Sequence, residues 1–147
     1  MAAQYKGYQA PKLVNLIAGE ALTADVYEIV TMENDGGVAK VIKASAVTET
    51  VVGVIAENLD ATNGADGETV SVALISGGGV LYMKAGAAIT AGDLVVADST
   101  AGRVASGGAN VAALVADAFA FGIALNTAAD GDIFPVLVQP MTSATET

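Results

Sequence analysis

The chain contains no histidine, no cysteine and no tryptophan. Without cysteine there is no disulfide framework and no thiol nucleophile, and without histidine the usual acid/base catalyst near neutral pH is missing. Together the two absences remove every Cys or His metal site. Aromatic residues are few, four tyrosines and three phenylalanines. Bases are scarce as well, with six Lys or Arg against sixteen acids and a net charge of −10. Proteins that grip a phosphate backbone need clustered cations, so nucleic acid is excluded as an expected partner.

Long apolar runs are also lacking. The longest, Ala109 to Leu125, is interrupted by Asn110 and Asp117, and it falls short of the ~20 residues that span a bilayer. Leu13 to Leu22 is broken by Asn15 and Glu20 and does not read as a secretory signal. The expectation is a soluble protein with no membrane partner.

What is present is small and β-branched. Of 147 residues, 30 are alanine, 19 valine, 12 threonine and 17 glycine, whereas leucine numbers 10. That balance favours strands over helices and implies a core lined by small side chains. The length suits one domain, or two tightly joined halves, with a sizeable core.

Charge is unevenly placed. Residues 1 to 19 carry Lys6 and Lys12 and no acid, net +2, while residues 20 to 147 carry four bases and sixteen acids, net −12. The first 20 residues also hold Tyr5 and Tyr8 without a clear period and read as an extended N-terminal arm. Beyond it, Ala21 to Met32, the turn Asn34-Asp35-Gly36-Gly37 and Val38 to Lys43 predict a hairpin. Val70 to Ile75, the turn Ser76 to Gly79 and Val80 to Lys84 predict a second. Leu94 to Ala97 and Ile133 to Val138 read as further strands, and Asn110 to Ala118 permits one or two helical turns.

Three short phrases recur in order. Leu22-Thr23-Ala24-Asp25-Val26 echoes Ile89-Thr90-Ala91-Gly92-Asp93-Leu94, Gly53-Val54-Ile55-Ala56 echoes Gly122-Ile123-Ala124-Leu125, and Ala65-Asp66-Gly67-Glu68 echoes Ala129-Asp130-Gly131-Asp132. The offsets are 67, 69 and 64. Collinear matches at similar spacing predict two tandem copies of one β unit. The expected fold is all-β, a compact barrel or sandwich. It would comprise an arm over 1–20, a single domain over 21–138 with copies at 21–75 and 88–138, and a flexible tail over 139–147.

Candidate chemistry is thin. Gly77-Gly78-Gly79 continues into Val80-Leu81-Tyr82-Met83, a strand, where a phosphate cradle needs a helix N-terminus. Asp60, Asn63, Asp66 and Glu68 offer oxygens but not calcium-loop spacing, and read as solvated turn residues. Paired carboxylates for glycoside hydrolysis come without aromatic platforms. Ser71, Ser76 and Lys84 have no local signature of a Ser/Lys site. No enzyme activity, metal or cofactor is expected. The arm gives the clearest interaction signal: Tyr5, Lys6, Tyr8 and Lys12 combine amphipathic rings with cations on a segment able to lie across a neighbour.

The phrase Lys84-Ala85-Gly86-Ala87-Ala88-Ile89-Thr90-Ala91-Gly92-Asp93-Leu94-Val95, the Gly102-Arg103-Val104 turn, Gly122-Ile123-Ala124-Leu125 and the closing Asp130-Gly131-Asp132-Ile133-Phe134-Pro135-Val136-Leu137-Val138 resemble the capsid cement, or head decoration, proteins of tailed bacteriophages. The resemblance covers the second half and reaches the first through the duplication. Residues 105 to 118 are longer than the family's usual connection. The resemblance implies a β-rich virion protein on the outer surface of the capsid. It would bind the major capsid protein of the expanded head as a homo-oligomer, a trimer or in some relatives a dimer, with the arm in contact with the capsid. Two other classes share the composition: a self-assembling bacterial coat or β-barrel assembly protein, and a carbohydrate-binding or hydrolytic module.

Overall fold

A computed structural model describes residues 12–22, 25–56 and 64–142. Among these residues ten strands form two five-stranded antiparallel sheets. The first contains β1 (Leu13–Ile17), β2 (Ile29–Asp35), β3 (Val38–Lys43), β4 (Gly53–Ile55) and β5 (Thr69–Leu74), in the order β1-β5-β4-β2-β3. The second contains β6 (Val80–Lys84), β7 (Leu94–Ala97), β8 (Val104–Gly108), β9 (Phe119–Ala124) and β10 (Ile133–Thr142), in the order β6-β10-β9-β7-β8. Adding five to each strand of the first order gives the second, so the all-β fold is two tandem units.

The units agree residue by residue. Leu16 pairs with Val70 and Met83 with Phe134, Gly53 with Leu74 and Gly122 with Val138, Met32 with Val41 and Ala97 with Val104. Each sheet also curls until the chain leaving its first strand meets its third, through parallel bridges Ala18 to Val41 and Ala85 to Val104. Both units are therefore nearly closed barrels. The Asp-Gly phrases make the same three backbone bonds: Ala18 donates to Glu68 and accepts from Gly67 while Glu68 donates to Ala65, just as Ala85 donates to Asp132 and accepts from Gly131 while Asp132 donates to Ala129.

Gly53 and Gly122 show why the repeat kept its glycine. A methyl group on Gly53 would overlap the Ala73 carbonyl and the Val72 side chain, and one on Gly122 would overlap Val136 and approach the Leu137 carbonyl. The strands at this point are too close for any side chain.

Inside the first barrel Leu22, Val30, Val41, Ile55, Val70 and Val72 form a small core. The larger core fills the second barrel, with Phe121, Met83, Phe134 and Val136, and takes in Ile29, Val54, Ala73 and Ile75 from the outer face of the first. That shared cluster joins the units, and backbone bonds cross the seam from Ile29 to Gly102, from Gly102 to Ala44 and from Phe119 to Val47.

Four expectations are corrected. Val70 to Lys84 is not a hairpin: β5 belongs to the first sheet and β6 to the second, with a single 3-10 turn, Ile75–Gly77, between them. The glycines change sheets because Ile75 is drawn into the shared core. The arm is shorter than 1–20, because Leu13–Ile17 is an edge strand on β5 with Val14 and Leu16 turned inward. Gln139 to Thr142 do not begin a flexible tail but extend β10, which slips register between Val138 and Met141 and so accommodates Pro140, which lacks an amide donor. The first repeated phrase holds at Leu22 and Ile89, whose amides bond to the matching Gly64 and Ala128 carbonyls, but its later residues are displaced. Tyr27 donates to the Ile55 carbonyl as Gly92 donates to that of Ala124, so Gly92 matches Tyr27, and Leu94 matches Ile29.

Candidate interaction surface

Of the four arm residues singled out by sequence, Tyr5, Lys6 and Tyr8 lie outside the described residues. Lys12 is exposed and sits where the arm joins the barrel. Its carbonyl accepts from the Leu74 amide at 2.9 Å, which prolongs the β1–β5 ladder by one residue. Its Cβ lies 2.7 Å from where a Cβ on Gly77 would stand, so glycine at 77 leaves the room that Lys12 fills.

Lys12 also differs from the other described cations in its electrostatics. Lys40 lies 2.9 Å from Asp35, Lys43 3.4 Å from Asp25, Lys84 3.3 Å from Glu28 and Arg103 3.5 Å from Asp130. Lys12 has no such pair among the described residues. The hydrogen bond from Lys40 to Asp35, followed by the charge of Asp35, raises the Lys40 pKa above its ordinary value. Exposed pairs of this kind fix local geometry more than they stabilise the fold.

Beside Lys12 the seam opens into an apolar groove of about 370 Å³, lined by Val51, Val52, Leu74, Ile75, Phe119 and Pro140. A second cavity of about 410 Å³ lies under the segment 109–118, between Val96, Gly107 and Leu114. That segment holds one 3-10 turn, Val111–Ala113, and Leu114 packs against Leu94, Val96 and Ala120. Both hollows are lined mainly by hydrocarbon and suit apolar side chains.

The remaining candidates do not assemble into a site. Asp60 and Asn63 lie outside the described residues, and Asp66 and Glu68 are exposed on their turn. Among the described residues no three His, Cys, Asp or Glu gather as a metal would require. The Lys84 ammonium is held by Glu28 and Ser76 is exposed on the crossover turn. No helix among the described residues is long and apolar enough to cross a membrane.

Sequence reasoning missed the apolar side chains left outside the barrels. Leu13, Ile17, Met32 and Val38 in the first unit are exposed, as are Val111, Val115, Leu125, Ile133 and Leu137 in the second. Singly these are ordinary, but Leu13 and Ile17 share one face of β1, and Ile133 and Leu137 share one face of β10 beside Leu125, so these two groups mark contact surfaces.

No family model matches the chain, and no curated protein matches it. A solved structure does: the head fibre gp8.5 N base in bacteriophage phi29 is similar over 88% of this chain and 95% of that one, with a TM-score of 0.54 and 12% sequence identity. The two share a fold.

Proposed function

We propose that this chain is a non-enzymatic structural protein of a phage virion, a cement or decoration protein that binds the outer surface of the expanded head and bridges major capsid subunits. The observation that carries this reading is the fold shared with the base of a phage head fibre over nearly the whole of both chains. The cement-protein phrases Lys84 to Val95 and Asp130 to Val138 support it from the sequence. The chemistry suits such a role: two barrels joined through one core make a stiff body, and Lys12, which has no ion pair among the described residues, stands where the tyrosine-bearing N-terminal segment begins.

In this mechanism the protein prefers the expanded lattice and stabilises it by mass action. Weak contacts repeated across the lattice add through high effective concentration. Lys6 and Lys12 meet acidic capsid surface, while Tyr5 and Tyr8 supply apolar contact area.

Cosedimentation of the purified chain with expanded and unexpanded phage heads tests this. Saturable binding to expanded heads is expected, reduced at least tenfold on deletion of residues 2–11, which spares the Lys12 bond to Leu74. Absence of binding to expanded heads overturns the function, and unchanged binding of the truncated chain overturns the role of the arm. Extended two-dimensional lattices formed by the purified chain without heads, as distinct from rings or single filaments, would favour a self-assembling coat instead.

A further inference from the structure

The internal seam is a contact between unlike surfaces. The first unit offers the outer face of its β4–β5 side, through Val54, Ala73 and Ile75. The second unit leans on it with β6, which lies against β4, and with Lys84, whose amide donates to the Tyr27 carbonyl and whose ammonium faces Glu28. A two-fold contact would also bring the matching pair, Ile17 and Gly92, together, and no such bond forms. Each unit therefore has one surface of each kind, and only one of each is used inside the chain.

The two unused surfaces are where the exposed apolar residues lie. On the first unit Leu13 and Ile17 match Val80 and Lys84 by strand pairing. Val80 is 4% exposed, against 53% for Leu13. On the second unit Leu137 matches Ala73, and it is 39% exposed where Ala73 is 4%. Leu125 and Ile133 flank it, since the Leu125 amide bonds to the Pro135 carbonyl between Ile133 and Leu137.

We infer that the β9–β10 face of one chain receives the β1 edge of a second copy, repeating between chains the contact that β4 and β6 make within one. Leu13 and Ile17 cover Leu125, Ile133 and Leu137. Segment 109–118 already covers Leu94 through Leu114, so the contact between chains is smaller than the internal one and depends on concentration. A head-to-tail contact of this kind closes into a ring or runs on as a filament.

Sedimentation velocity on the full chain tests this apart from capsid binding. The wild type is expected to associate as concentration rises, and Ile17→Glu and Leu137→Glu each weaken that association about tenfold or more by burying a charge at the contact. An equimolar mixture of the two variants should yield dimers and nothing larger, because each retains the face that the other has lost. A wild type that stays monomeric, a mixture that stays monomeric, or one variant that associates like the wild type would overturn the inference. Circular dichroism establishes folding. Should either glutamate variant fail to fold, Ile17→Asn and Leu137→Asn replace it, with the same outcomes decisive.

Discussion

The Glu28 carboxylate is almost fully buried and lies 3.3 Å from the Lys84 ammonium, one residue from each unit across the seam. Lys84→Met leaves the carboxylate in place without its cation, and the expected loss is about 3 kcal/mol. Adding Glu28→Gln should recover much of that loss, since the buried group is then neutral. Urea unfolding of the two single variants and the double variant checks this as a cycle. The transition should be single throughout, because the two units share one core.

Gly53 and Gly122 provide a test of the duplication. Each meets the backbone of its neighbouring strand so closely that Gly53→Ala and Gly122→Ala should each cost about 2–3 kcal/mol, the scale of overpacking in a core. Similar shifts in urea midpoint are expected for the two variants. A tolerated alanine at one position would show that the barrels have diverged there.

Gly92 isolates a backbone effect. Its φ is +92° and no atom lies within 4 Å of an added Cβ, so Gly92→Ala should cost about 1 kcal/mol through conformation alone. Thermal melts measure this. Tyr27, with φ +70° at the matching place, shows that the fold can hold a side chain in this conformation.

Lys40 gives a pH signature. Its pKa is raised by Asp35, so the stability from this pair is fully present below the ordinary lysine value of 10.5 and is lost as pH rises through the higher folded value. The difference in stability between wild type and Lys40→Met should therefore hold through neutral pH and close in strong base. Asp35→Asn should bring the Lys40 titration, followed by NMR, back toward 10.5.

Much of this architecture was legible because the repeat was. The offsets of 67, 69 and 64 are those that relate Leu22 to Ile89, Gly53 to Gly122 and Asp66 to Asp130. The same signal extends earlier in the chain: Ala18-Gly19-Glu20-Ala21-Leu22-Thr23-Ala24 matches Ala85-Gly86-Ala87-Ala88-Ile89-Thr90-Ala91 at five of seven positions. It would have placed the end of the presumed arm inside the repeat. Strand β1 was hidden because Leu13 and Ile17 face outward while Val14 and Leu16 face inward, which erases the alternation by which strands are recognised. The crossover at Gly77 to Gly79 resembles a hairpin in sequence because glycines permit a turn without stating which sheet receives the next strand. The exposed surfaces had no sequence mark, since nothing in the sequence shows that Leu137 is left exposed while its counterpart Ala73 is covered.

The pairing of the first strand of each unit with its last has a consequence for how the protein comes into being. A chain emerging from the ribosome can form the β2–β3 hairpin early, yet neither barrel can shut until its fifth strand arrives, at Leu74 and again at Thr142. Closure must wait on the longest loops in each unit, which makes folding slow for the size of the molecule. The first barrel then stands complete but with one apolar face bare, until the second is synthesised and lies down upon it.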